Sequence, residues 1–480
     1  MGKSVSAGFA WTAIDRFSNL AIQFVLGIII ARLITPAEYG VLGILMVFVN
    51  ISQVFIDSGL SSALIYTNRI NRDYLDTSFV FNLVVSLILF AILFLSAPAI
   101  EHFFSLPNLA DFLRVSSFVL ITNSLVVVPT SILKIKLDFR LLAITNISSS
   151  IISGLMGIVA AYFGYGVWAL IIQLIAKSIV QLLIMYFACH WLPMFSFRKD
   201  IFKELYRYGV NIFTASCITK IIEEGSSFFI GKVLSPFSLG IYTRGIQFSS
   251  LPSNTVGGII SSALFPSLSS IKEDSNRFSS VYHKVVESQA FLCSPTFVWL
   301  AVMAEPLVRI LITDKWIAVV PVIQILCIGR LLIPAANITE QVLNAKGRSD
   351  LFLKQQVWKM FFKTFILLCC LPFGLMVVVV GEAFYTICQF FITNYFARGV
   401  SDFEIAPQLK VVMPYIFCAL LCCIPVYLHV DSHQHEVWSN IGLGSLMYVF
   451  LYLASVAIVL KKKEQLWMLI RFAQGKIKTK

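Results

Sequence analysis

The segment IARLITPAEYG at 30–40 returns at an offset of 200 as IGKVLSPFSLG at 230–240. Each copy starts in an apolar, helix-like run and carries a cation at Arg32 or Lys232. Each then has a hydroxyl residue at Thr35 or Ser235, a proline at Pro36 or Pro236 and a glycine at Gly40 or Gly240. Thr35-Pro36-Ala37-Glu38 reads as a capping box with proline at the first helical position, so one helix ends and the next begins across a very tight turn. Ser235-Pro236 repeats the start of that box without the glutamate. Both cations stand in the last turn of the preceding helix, where a positive charge meets the helix dipole favourably. Local chemistry explains each turn, but not why the two are in register.

The setting of both turns is membrane. Of 480 residues, 58% are hydrophobic and 13% charged, where a soluble protein carries about 25% charged residues; mean hydropathy is +0.84. The apolar residues fall in continuous runs such as 77–97, 411–428 and 443–460, each near the roughly 20 residues that cross a bilayer as a helix. The runs do not alternate, which argues for helices over a barrel. Spans are expected near 9–33, 40–65, 77–97, 112–132, 144–163, 166–189 and 208–231. Others follow near 240–266, 284–304, 317–343, 356–376, 377–396, 411–429 and 439–460, about fourteen in all. The division between the pair at 356–396 is placed at 377–381, where almost no polar loop is available.

Lysine and arginine give the orientation. With a cytoplasmic N-terminus, the inner segments collect Lys3, Arg69, Arg72, Lys134, Lys136, Arg140, the basic stretch 198–207, Lys272, Lys346, Arg348 and the tail 461–480. About 25 cations then lie inside against about four outside. The net charge of +12 is therefore topology, and no nucleic-acid partner is expected. Six spans separate the two copies of the opening segment, so both enter the membrane in the same direction. That is a parallel repeat of two helical lobes, as in rocking transporters. The expected division is 1–195 (spans 1–6), 196–400 (spans 7–12) and 401–480 (two further spans and a basic tail), with the joint between lobes at 190–206.

Several classes are disfavoured. The N-terminus reads as the first span and not as a cleaved signal, since Asp15 and Arg16 interrupt it and no small-residue cleavage pattern follows. The ten cysteines form no CxxC pair and read as small packing residues. No GxxxxGK[ST] loop is present, so ATP hydrolysis is not expected; neither is any cofactor. The outer loop HVDSHQHE at 429–436 reads as solvated, not as a metal site. Trp11, Trp168, Trp191, Trp316, Trp438 and Trp467 fit an interfacial belt.

Four stretches carry a resemblance: ARLITPAEYGVLGI from Ala31, FIDSGLSSALI from Phe55, FFIGKVLSPFSLGIYTRGIQ from Phe228, and AEPLVRILITDKWIAVVPVIQIL from Ala304. In this order, over nearly the whole chain, they resemble the polysaccharide transporter family, the Wzx-type O-antigen flippases. That family belongs to the multidrug/oligosaccharidyl-lipid/polysaccharide exporter superfamily. The resemblance implies an all-α polytopic protein of two pseudo-symmetric lobes around a central cavity. It also implies a bacterial inner-membrane location and an undecaprenyl-pyrophosphate-linked oligosaccharide moved from the inner to the outer leaflet. Other partners implied are membrane lipids, H+ or Na+, and polysaccharide polymerase machinery.

Such a cargo is anionic and polar at one end, so cations inside the spans are the feature to seek. Arg16, Lys177, Lys220, Arg244 and Arg330 fall there and are the candidate substrate-binding residues. Three have a plainer alternative: Arg16 and Arg244 suit snorkelling at span ends, and Lys220 can pair along its own helix with Glu223 or Glu224. Lys177 and Arg330 have no acid three or four residues away and are the foremost candidates to face the cavity. Glu223, Glu224, Glu340 and Asp57 are the candidate coupling carboxylates, able to alternate between proton-bound and cation-paired states. Rival readings are a cation-coupled multidrug antiporter of the same superfamily, whose site should be acidic and aromatic, and a membrane polysaccharide polymerase, which should carry a large catalytic loop. No catalytic residue is expected.

Overall fold

The computed structural model describes residues 2–57, 59–67, 71–189, 191–257, 275–345, 348–398, 405–432 and 437–458. Arg69, Lys272, Lys346, His433, His435, Glu436 and the tail 461–480 lie outside them. Among the described residues the regular structure is all helical, and twelve stretches are long and apolar enough to cross a bilayer. The chain forms two compact units, 1–243 and 244–480.

The first unit begins with α1 (Gly2–Leu33), α2 (Pro36–Asp57) and the short α3 (Leu60–Thr67). It continues with α4 (Arg72–Phe104), α5 (Leu109–Ile135), α6 (Phe139–Tyr162), α7 (Val167–Cys189), α8 (Lys199–Val233) and most of α9 (Pro236–Ser249). Hydrocarbon offers no hydrophobic drive between helices, so close packing needs small side chains. The face of α6 that carries Ser149, Ser150, Ser153, Gly154, Gly157 and Ala161 is buried accordingly; a Cβ on Gly154 would overlap Leu26 of α1. Near the ends of α2 and α5, Leu60 and Leu64 of α3 pack with Tyr74 and Phe79 of α4, Ile132 of α5 and Leu205 of α8.

The two copies of the opening segment are both visible here. The Thr35 backbone N–H donates to Glu38 Oε2 at 2.8 Å and the Glu38 N–H to Thr35 Oγ1 at 3.4 Å, closing the capping box. At the second copy, the Ser238 N–H donates to Ser235 Oγ at 3.1 Å. The starts of α2 and α9 lie directly against each other: a Cβ on Gly40 would overlap the Pro236 carbonyl, and a Cβ on Gly240 would overlap the Pro36 carbonyl. The repeat is thus a reciprocal contact, each copy filling the space left by the other's glycine. Lys232 turns from its helix end to the Phe103 carbonyl, its ammonium 4.4 Å from the Phe103 ring centre.

In the joint expected at 190–206, residues 191–198 form no helix and are pinned to the first turns of α4. The Met194 N–H donates to Asp76 Oδ1 at 3.0 Å, the Arg198 N–H to Thr77 Oγ1 at 3.3 Å, and Arg198 pairs with Asp73 at 3.4 Å.

The second unit holds α10 (Ser275–Val302), α11 (Ala304–Ile312), α12 (Val320–Gly329), α13 (Ile333–Ala345), α14 (Ser349–Cys370), α15 (Leu375–Ala397), α16 (Ile405–Ser432) and α17 (Val437–Ile458). Five expectations change. The span at 40–65 is broken after Asp57, where Gly59 takes a left-handed φ of +72° and a Cβ would strike the Gly209 backbone. The span at 317–343 is interrupted by a 3₁₀ turn, Arg330–Leu332. The division expected at 377–381 falls earlier, in Leu371-Pro372-Phe373-Gly374, with Gly374 at φ +92°. Proline and a left-handed glycine make that turn without polar residues, which is why polarity misplaced it. The expected spans 208–231 and 240–266 are not among the twelve apolar stretches. The first lies in α8, which is 35 residues long but carries Lys220, Glu223 and Glu224; α9 ends at Ser249, and 258–274 lies outside the described residues.

Candidate functional site

Where α2 ends, Gln53 and Asp57 stand one turn apart and share a face. On α5, Asn123, Val127, Thr130 and Lys134 recur at helical spacing and share another. These faces, with Gln181 of α7 and Phe213 and Ser216 of α8, line a cavity of about 500 Å³ inside the first unit. The break at Gly59 turns the chain into α3 at the cavity edge and brings Ser61 into the lining. Asn123 Nδ2 donates to Gln53 Oε1 at 3.0 Å, and Gln53 Nε2 donates to Asp57 Oδ1 at 3.4 Å, a relay of amides ending at a carboxylate. From Asn123 to Lys134 the wall runs about 16 Å along α5. A polar hollow of this kind, among helices that are otherwise apolar, holds groups that hydrocarbon would not.

Asp57 is the one sequence-predicted site residue in this lining. Lys177 lies one turn before Gln181 on α7, half-buried and in electrostatic contact with Asp15. Asp15 itself accepts from Asn19 Nδ2 at 2.6 Å and from Asn146 Nδ2 at 3.2 Å. Arg16 is exposed on α1. Lys220 pairs with Glu223 at 3.0 Å and Glu224 at 3.2 Å, and Asn50 Nδ2 donates to Glu224 at 2.8 Å; the three candidates come together as a same-helix cluster.

In the second unit the candidate cations are buried. Arg244 is 5% exposed, donates to Gln247 Oε1 at 2.6 Å and lies 5.5 Å from the ring centre of Trp316. Trp316 is therefore wholly enclosed and not a belt residue. Arg330 donates to the Ile246 carbonyl at 3.4 Å from the 3₁₀ interruption. Glu340 of α13 pairs with Lys359 of α14 and also accepts from Gln355 Nε2 at 2.8 Å. One turn further along α14, Lys363 pairs with Glu382 of α15 at 3.3 Å, and its ammonium stands 5.6 Å from the ring centre of Tyr385. Lys359, Lys363 and Glu382 are charges within the expected spans 356–376 and 377–396 and were legible as such, but their pairing across helices leaves no local spacing to mark it. The amide lining of the cavity left no signal beyond isolated Asn and Gln residues in apolar runs.

Fold and site together define a multi-pass, all-α membrane protein with polar interior sites, the organisation of a membrane transporter. The polysaccharide biosynthesis protein family model matches residues 29–321, and the chain belongs to that family. It is 24% identical over 328 residues to the succinoglycan biosynthesis transport protein ExoT of Rhizobium meliloti, covering 68% of this chain and 66% of that protein. It is 22% identical over 468 residues to the teichuronic acid biosynthesis protein TuaB of Bacillus subtilis, covering 94% of this chain and 95% of that one. Its fold matches a structure of the lipid II flippase MurJ in an inward closed conformation, with a TM-score of 0.76 at 14% identity, over 95% of this chain and 99% of MurJ.

Proposed function

We propose that this chain is a flippase of the bacterial inner membrane. It translocates an undecaprenyl-pyrophosphate-linked oligosaccharide from the inner to the outer leaflet for O-antigen, capsule or exopolysaccharide synthesis, and has no enzymatic step of its own. The observation that carries the reading is the 500 Å³ polar cavity within an apolar helical unit, in a chain of the polysaccharide biosynthesis family. Both termini are cytoplasmic in this reading, because the positive-inside asymmetry requires it. The two sequence repeats act as lobes that alternate access.

Arg16 and Lys177 are the cations proposed to meet the pyrophosphate: Lys177 stands one turn from the cavity residue Gln181 on α7, and Arg16 lies exposed on α1. Arg244 and Arg330 are proposed to hold the packing around α9. Coupling to H+ or Na+ is assigned to the carboxylates, with Asp57 at the cavity and Glu340 against Lys359 as the foremost candidates. An antiporter for cationic drugs is disfavoured by a lining in which Lys134 offsets Asp57.

The test is transfer of a radiolabelled undecaprenyl-pyrophosphate oligosaccharide between the leaflets of proteoliposomes. Protein-dependent transfer that falls at least severalfold in Lys177→Ala, with Arg330→Ala losing folded yield instead, is the expected result. Efflux of a cationic dye without lipid transfer would move the assignment to the antiporter.

A further inference from the structure

We propose that the cavity of the first unit is a sugar-binding subsite: it takes uncharged sugar rings of the cargo and leaves the pyrophosphate outside. This rests on the flippase reading for the identity of the cargo; the lining supplies the rest. A pyrophosphate needs a surplus of cations or a helix N-terminus. This cavity offers one ammonium, Lys134, and one carboxylate, Asp57, so an anion would meet as much repulsion as attraction. A sugar ring presents neutral hydroxyls, each a donor and an acceptor, and the complementary wall is made of groups with both capacities. Gln53, Asn123 and Gln181 supply amides, and Ser61, Thr130 and Ser216 supply hydroxyls.

Two further features fit rings and not a lipid tail. The amide relay Asn123 to Gln53 to Asp57 holds the wall in a fixed donor and acceptor order, which lets it read a hydroxyl pattern. Phe213, set edge-on to Phe55 at 5.4 Å, gives one firm apolar surface for the C–H face of a ring. The volume lies in the range of sites for small ligands, enough for roughly one or two rings. An apolar tail in the same space would leave the remaining hydrogen-bonding capacity of these groups unmet.

The experiment uses the full chain in proteoliposomes, with p-benzoylphenylalanine replacing Phe213 or, as a second position, Val127; the exposed Phe384 on α15 serves as control. The probes are tritiated undecaprenyl pyrophosphate carrying a neutral hexose trisaccharide, and the same lipid without sugar. The cavity positions should label with the glycosylated lipid about tenfold over the bare lipid, the worth of one or two net hydrogen bonds. The Phe384 position should not discriminate, and Gln53→Ala should reduce the excess.

Equal labelling by both lipids would overturn the subsite. So would absence of labelling in a preparation that transfers the glycosylated lipid between leaflets, while leaving the flippase intact. Sugar-dependent labelling in a preparation that transfers neither lipid would retain the subsite and overturn the flippase.

Discussion

The two units carry charge and polarity inside a membrane in opposite ways. In the first, Gln53, Asn123, Gln181, Asp57 and Lys134 surround an open space, and partners are left for something that enters. In the second, Lys359 meets Glu340 and Lys363 meets Glu382 within the helix packing, with Lys359 only 2% exposed. A polar group in hydrocarbon must be paired or wetted. The first unit leaves room for wetting and the second relies on pairing, so one is suited to exchange a ligand and the other to hold helices in register.

The largest effect should come from opening a closed pair. Lys359→Met leaves Glu340 without its ammonium and should cost about 3–5 kcal/mol, read as lost folded yield and a lower melting temperature in detergent. The double change Lys363→Met with Glu382→Leu should instead be nearly neutral, because both charges leave together. If Lys359→Met is harmless, the second unit is wet and the contrast fails.

Next is the glycine contact in the first unit. Gly40→Leu or Gly240→Leu forces two backbones apart and should cost at least about 1–3 kcal/mol, the usual range for overpacking. Gly225→Ala, where a Cβ meets nothing within 4 Å, should stabilise by about 0.4–1 kcal/mol through the unfolded chain. Thermal unfolding of the three variants side by side checks sign as well as size.

Cavity residues should separate stability from function. Asn123→Ala breaks one bond of the relay and should change stability by no more than about 0.5–1.5 kcal/mol, yet lower the transfer of glycosylated lipid severalfold in a leaflet assay. Smallest is Lys220→Gln, which removes two same-helix pairs and should cost about 0.2–0.5 kcal/mol for each. A large loss of transfer there, at unchanged melting, would bring the Lys220 cluster into the cargo path and show that pairing in the first unit also serves exchange.

How much of this was legible depended on the physical signal. Continuous apolar runs are dictated by bilayer thickness, so most of the helices could be read from them, whereas 208–231, interrupted by charges, and 240–266 correspond to none of the twelve apolar stretches. The turn at Pro372 to Gly374 escaped because dihedral preference, not polarity, makes it. The reciprocal packing of Gly40 and Gly240 left a trace in the matched spacing of the two segments, although spacing alone does not say that they touch. Asp57, Lys177 and Glu340 were found because a charge in a span is conspicuous. Asn123 and Gln181 were not, since an amide in an apolar run is as often a helix-to-helix bond as a ligand contact.

A crossing with no side chain at its centre has a mechanical consequence. Where α2 meets α9, the nearest atoms are carbonyls of Pro36 and Pro236 against bare Cα positions. Such a bearing allows one helix to turn on the other but does not allow it to slide, because a shift of one residue brings Leu239 or Ile241 to the point where only hydrogen fits. An insertion in one turn would therefore demand a compensating change in the other. The matched spacing of the two segments is the mark of an axis shared between them.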